Sequence, residues 1–140
     1  MPVKVIDKHT LSSWMLSAPQ SSATRPSSFA IVDVRDDDFI GGHIVSALHH
    51  PSSSFASNLP YLQKEVEQHP AVIFHCALSQ QRGPTAAAMY TRYLEMTGDL
   101  QNSEKPQQEI YVLKGGFTEW QQDFGDDERL TADYDPTIWR

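Results

Sequence analysis

The 140-residue chain contains one cysteine, Cys76, so an intramolecular disulfide is excluded and no disulfide framework holds the fold. Positive charge is also scarce: 11 Lys and Arg stand against 18 Asp and Glu, for a formal net charge of −7. Nucleic acid, which requires a basic face for its phosphates, is not an expected partner. No apolar run approaches the length of a bilayer span, so no membrane association is expected. Met1 to Ala18 lacks the apolar stretch of a secretory signal, which makes a cytoplasmic or nuclear location the expectation. No His, Cys and Asp spacing resembles a metal site. His49 and His50 therefore read as solvent-exposed, and the Asp36–Asp38 run as a solvated face or as helix-start charges. Internal repeats are missing. Composition is ordinary for a globular chain, and the length suits one domain over residues 1–140.

What is present is an alternation of apolar runs and helical patterns. Ala30–Val34, Ala71–Phe74 and Ile110–Leu113 are short, β-branched or aromatic, and each is followed by a loop signal, which predicts buried strands. A weaker first strand is expected at Lys4–Ile6. Helices are expected at Leu11–Leu16 behind a Thr10 N-cap, at Leu59–Gln68 behind Asn58, at Thr85–Met96 and at Phe117–Gln122. Ser17–Ser28 and Thr97–Gln108 read as surface loops. Alternating strand and helix predicts an α/β fold with a parallel sheet covered on both faces. In such sheets ligands bind beyond the carboxyl ends of the strands.

One segment occupies such a place. The strand Ala71–Phe74 runs into His75 and Cys76; five residues follow, Ala77, Leu78, Ser79, Gln80 and Gln81, then Arg82, Gly83 and Pro84 at a helix start. Five residues suffice to curl into a cradle whose backbone N–H groups face an anion, reinforced by the helix dipole. Arg82 would close the ring with a fork that grips two oxyanion oxygens. The same field favours thiolate: a free cysteine titrates near about 8.5, and such surroundings bring it to roughly 3.5–7.5. Cys76 is thus the candidate nucleophile and Arg82 the candidate anion-binding side chain.

His75-Cys76-x-x-Ser79-x-x-Arg82-Gly83-Pro84 resembles the active-site loop of the rhodanese-fold phosphatases. That family includes the M-phase-inducer dual-specificity phosphatases and the yeast-type arsenate reductases. Ile31-Val-Asp33-Val-Arg35 with Gly41-Gly42-His43-Ile44 resembles its first core strand and glycine turn. Leu113-Lys-Gly115-Gly116-Phe117-x-x-Trp120 resembles its late strand-to-helix turn. The likeness is greatest to small single-domain fungal members. It implies a rhodanese-like five-stranded parallel sheet with helices on both faces, no cofactor, and a loop one residue longer than that of the sulfur-transferring rhodaneses. Val34 stands where the M-phase inducers carry a second cysteine. No acidic residue lies inside the loop, so the leaving-group acid is unassigned.

Among supporting residues, Asp33 could donate a proton or tie down the loop, and the structural role is the better reading for a carboxylate in an apolar strand. Arg35 is its candidate partner, and Asp38 and His43 form a second candidate pair. His75 could act on the thiolate or fix the strand end. Ser79 could hydrogen-bond the sulfur or a leaving oxygen, or shape the turn. Gly83 completes the motif. The leading expectation is hydrolysis of phosphotyrosine or aryl phosphomonoesters through a phosphocysteine, with a phosphorylated protein or small oxyanion as substrate. The alternative is arsenate reduction with glutathione or glutaredoxin as partner. Thiosulfate sulfurtransfer and a non-catalytic phosphate-binding module stand behind these.

Overall fold

The computed structural model describes residues 2–17, 25–97 and 108–139. The chain runs β1 (Val3–Ile6), α1 (Lys8–Leu16), β2 (Phe29–Asp33), β3 (His43–Ile44), β4 (Leu48–His49), α2 (Leu59–Val66), β5 (Ala71–His75), α3 (Arg82–Thr97), β6 (Glu109–Leu113), α4 (Gly116–Phe124) and β7 (Thr131–Ala132). Strands β1, β6, β5, β2 and β4, in that spatial order, form a five-stranded sheet whose pairs are all parallel. Strands β3 and β7 pair antiparallel in a separate ribbon.

The two-residue period of the strands divides the core. Ala30, Val32, Val72, Phe74, Ile110 and Val112 pack with Leu62 and Val66 of α2 and with Ala86, Ala87, Tyr90 and Leu94 of α3. Ile6, Ile31, Ile73 and Leu113 pack with Leu11 and Trp14 of α1 and with Phe117 and Trp120 of α4. Helices therefore cover both faces, as expected. Each large apolar side chain so buried contributes roughly 1.5–3 kcal/mol.

Helix boundaries differ from the sequence expectation in instructive ways. Helix α1 starts at Lys8, because Asp7 is the N-cap: its Oδ1 accepts the Thr10 N–H at 2.7 Å. Helix α2 ends at Val66, short of Gln68. Helix α3 starts at Arg82, ahead of the expected Thr85. Pro84 is tolerated there because first-turn N–H groups have no intrahelical acceptor to lose. Residues 18–24 and 98–107, most of the two expected loops, lie outside the described residues. Gln108, expected to end a surface loop, is buried: it accepts from the Tyr90 hydroxyl at 2.6 Å and donates to the carbonyls of Val66 and His69 at 2.7 and 2.9 Å. A polar side chain here ties α3 to the end of α2.

The register that matters for function is Asp33 opposite His75. It sets the carboxyl ends of β2 and β5 side by side, so the segments leaving them, 34–42 and 76–82, meet at one edge of the sheet.

Candidate active site

Cys76, 3% exposed, lies in a cavity of about 240 Å³ lined by Cys76, Ala77, Leu78, Gln80, Gln81 and Arg82. The loop is shaped from behind by α4. The N–H groups of Phe117 and Thr118 donate to the carbonyls of Cys76 and Ala77 at 3.0 and 2.9 Å. Because peptide units are planar and trans, the N–H groups of Ala77 and Leu78 then point away from α4. Ser79 N–H donates to Cys76 Sγ at 3.2 Å, and Cys76 N–H to Ser79 Oγ at 3.4 Å. The Ser79 hydroxyl thus bonds the Cys76 backbone, while its amide serves the sulfur. Among the described residues, the N–H groups of Ala77, Leu78, Gln80, Gln81 and Arg82 donate to no protein acceptor. A loop of unused donors ahead of a helix N-terminus is suited to an anion.

Two glycines permit this packing. Gly116 has φ +58°, and a Cβ there would collide with the carbonyl oxygens of Cys76 and Ala77. A Cβ on Gly83 would meet His75 Cα at 3.3 Å and Ser79 Oγ at 3.4 Å, so its absence lets α3 approach the Cys76 loop closely.

Behind the loop lies a buried polar group. Arg35, fully buried, donates from Nε and Nη2 to Asp33 at 3.0 and 2.8 Å and from Nη2 to the Gly42 carbonyl at 2.8 Å. Its guanidinium carbon lies 4.5 Å from the Phe117 ring centroid. This is the Asp33–Arg35 pair expected from sequence. Burial would push the Asp33 carboxyl up, but the cationic Arg35, through its charge and hydrogen bonds, outweighs it and holds the group below its ordinary value. His75 is fully buried too, with Nδ1 3.3 Å from the Cys76 carbonyl and Nε2 3.7 Å from Asp33. Burial drives the imidazole below its ordinary value, against the pull of Asp33. Asp33 and His75 do not line the cavity that holds Cys76.

Arg82 makes contacts that sequence reasoning missed. Its Nη1 and Nη2 donate to the two carboxylate oxygens of Asp38 at 2.8 and 2.5 Å, and Nη1 also reaches Asp36 at 3.3 Å. The expected Asp38–His43 pair is therefore absent: Asp38 is engaged with Arg82, and His43 lies 4.0 Å from Asp133. Nor is the Asp36–Asp38 run a solvated face throughout. Asp37 is exposed, whereas Asp36 and Asp38 turn towards the loop. The available sequence signal was topological: three aspartates directly after β2 must arrive beside whatever follows β5. His49 is exposed as expected, its ring stacked on Phe39 with centroids 3.8 Å apart, whereas His50 is half-buried and lies 2.7 Å from Glu65. Among the described residues no His, Cys, Asp and Glu cluster could hold a metal ion, and no helix is long and apolar enough to cross a membrane.

Comparison with known proteins gives this site its relatives. Residues 16–123 match the model of the Rhodanese-like domain. The chain is 39% identical to the CDC25-like phosphatase YCH1 of Saccharomyces cerevisiae, over 99% of this chain and 95% of that protein. It is 36% identical to arsenate reductase 2.2 of Oryza sativa, over 78% of this chain and 82% of the other. Among solved structures, Ygr203w, a yeast protein tyrosine phosphatase of the rhodanese family, superposes with a TM-score of 0.78 at 37% identity, covering 100% of this chain and 99% of that one. The cysteine loop at the carboxyl edge of a five-stranded parallel sheet and these likenesses agree, and the chain belongs to the rhodanese-fold family that contains Cdc25-like phosphatases and arsenate reductases.

Proposed function

We propose that the chain is a cysteine-dependent phosphatase acting on phosphotyrosine and other aryl phosphomonoesters. The Cys76 thiolate attacks phosphorus, an S–P bond forms as the bond to the aryl oxygen breaks, and water then hydrolyses the phosphocysteine to phosphate and thiolate. The observation that carries this reading is the set of loop N–H groups without protein acceptors around Cys76. They supply the donors that a phosphoryl transition state requires, with Arg82 as their cationic complement. The names of the yeast relatives support the same chemistry.

The aryl preference follows from the leaving group. Residues 77–81 include no acid. The nearby carboxylates are held ionised: the Ser52 hydrogen bond first, then Ser53, brings Asp36 down to about 2, and the Arg82 hydrogen bond lowers Asp38. Neither is a ready proton donor at neutral pH. A phenol with a pKa of about 10 leaves unaided more easily than an aliphatic alcohol. A second cavity of about 290 Å³, lined by Ser52, Phe55, Thr85, Ala86 and Met89, shares Gln81 and Arg82 with the first and offers an apolar wall to a ring.

The test compares an aryl phosphate, a phosphotyrosine peptide and a phosphoserine peptide as substrates for the wild type, Cys76→Ser and Arg82→Lys. Cys76→Ser should abolish turnover, and Arg82→Lys should lower kcat/KM by about 10²–10³. Faster turnover of the phosphoserine peptide would overturn the leaving-group argument.

Arsenate reduction is the second reading, favoured by the identity to the rice arsenate reductase. Arsenate has the shape and charge of phosphate. The Cys76 thiolate would displace an arsenate oxygen as water, and reduction of As(V) to As(III) would oxidise two thiols to a disulfide. With one cysteine in the chain, glutathione or glutaredoxin must supply the rest. Glutathione-dependent arsenite production that vanishes in Cys76→Ser is the expected result.

A further inference from the structure

The fork of Arg82 that would grip an oxyanion is occupied by an internal carboxylate. Asp38 takes both terminal nitrogens, the geometry that a bound phosphate would also seek, and Asp36 adds a third contact. Two carboxylates against one guanidinium leave this group net negative at the mouth of a cavity meant for an anion. We propose that Asp38, seconded by Asp36, competes with the bound oxyanion for Arg82 and so sets how tightly substrate and product phosphate are held. The inference rests on the oxyanion reading of the Cys76–Arg82 loop.

The carboxylates are built into place, which separates them from an ordinary surface pair. Asp36 accepts from the Ser52 hydroxyl and, at 2.9 Å, from the Ser53 N–H. Asp38 Oδ1 accepts the Asp36 N–H at 2.9 Å. The loop that carries both is fixed from inside by Arg35, which donates to the carbonyls of Asp38 and Gly42 at 3.4 and 2.8 Å while holding Asp33. The aspartates therefore stay where they are when Arg82 is drawn to an oxyanion. Once the guanidinium leaves, they stand unpaired near a dianion, and that repulsion favours the return of Arg82 and the release of phosphate. Both carboxyls are held below their ordinary values, so the competitor is ionised throughout the neutral range.

The test is a binding measurement that needs no turnover. Inorganic phosphate is titrated calorimetrically into Cys76→Ser and into Cys76→Ser carrying Asp38→Asn, Asp36→Asn or Asp37→Asn. Asp38→Asn should tighten phosphate binding about tenfold, as expected for losing a charged competitor, and Asp36→Asn by less. Asp37→Asn removes the same charge from an exposed side chain and should change little. In the Cys76 protein, Asp38→Asn should show correspondingly stronger product inhibition by phosphate. Unchanged or weaker binding in the Asp36 and Asp38 variants, an equal gain from Asp37→Asn, or no binding by any of the proteins would overturn the proposal. Tighter phosphate binding in a protein that hydrolyses no aryl phosphate would leave the competition standing and remove the phosphatase reading. Turnover with unaltered phosphate affinity would do the reverse.

Discussion

His75 shows how burial at a single position writes a pH dependence into the fold. Its pKa in the folded chain lies below the ordinary 6.5, because the buried imidazole is costly to charge. The unfolded chain then binds the proton more readily, so stability is fully present above about pH 6.5 and is lost as pH falls through the folded value. His75→Asn removes that titration and retains a side-chain donor for the Cys76 carbonyl. Urea midpoints of the two proteins should differ by a constant amount between roughly pH 7 and 8, and the wild-type advantage should shrink towards about pH 5.5. A gap that widens on acidification would contradict a neutral buried imidazole. At this scale the sequence was legible where partners are close in the chain. Cys76 and Arg82 share one loop, and Asp33 and Arg35 are two residues apart. Asp36 and Asp38 lie 46 and 44 residues from Arg82, and only the sheet register brings them together.

Elements were read more reliably than their ends. The run Ala71–Phe74 follows the breaker Pro70 and is fully buried, so the strand pattern survives any local choice. Helix α3 starts ahead of the expected Thr85 because Gly83–Pro84, which reads as a stop, is the first turn of a helix packed against the Cys76 loop. The N-terminus of α4 was hidden in a different way. Gly115–Gly116 is visible as a turn, but its contact with the loop depends on a segment about forty residues earlier. That contact orients the Cys76 and Ala77 peptides. Gly116→Ala puts a methyl into their carbonyls at a φ that side chains disfavour, at a cost of about 1–3 kcal/mol in backbone strain alone. The loop should be displaced, with kcat/KM on an aryl phosphate falling about 10²-fold well below the variant's unfolding temperature. Phosphate binding to the Cys76→Ser form should weaken in parallel. Normal activity with a lowered Tm would show that α4 supports the fold but does not aim the loop.

For the whole molecule the decisive quantity is the number of thiols. Peroxide converts a thiolate to a sulfenic acid, and without a neighbouring thiol further oxidation to the sulfinic acid is irreversible for most proteins. Cys76 is the only cysteine in the chain, so protection has to come from outside, from a small thiol such as glutathione. The fold nevertheless holds a place for an internal partner. Val34, fully buried, belongs to the same core cluster as Cys76, and its N–H donates to the His75 carbonyl at 2.9 Å across the parallel β2–β5 pair. Neighbouring strands run about 4.8 Å apart, within the Cα separations that a disulfide spans. In Val34→Cys the sulfenic acid should condense with the new thiol, releasing water and forming a disulfide that dithiothreitol opens. After equal exposure to peroxide, the variant should recover most of its activity on reduction and the wild type little, with mass spectrometry showing added oxygen retained only in the wild type. Equal recovery would mean that a cysteine at position 34 does not reach Cys76. Added glutathione should give the wild type the same reversibility as a mixed disulfide. An external thiol would then protect Cys76 at the same sulfur where arsenate reduction would require one, so a single cysteine count ties the protein's redox behaviour to the choice between its two proposed reactions.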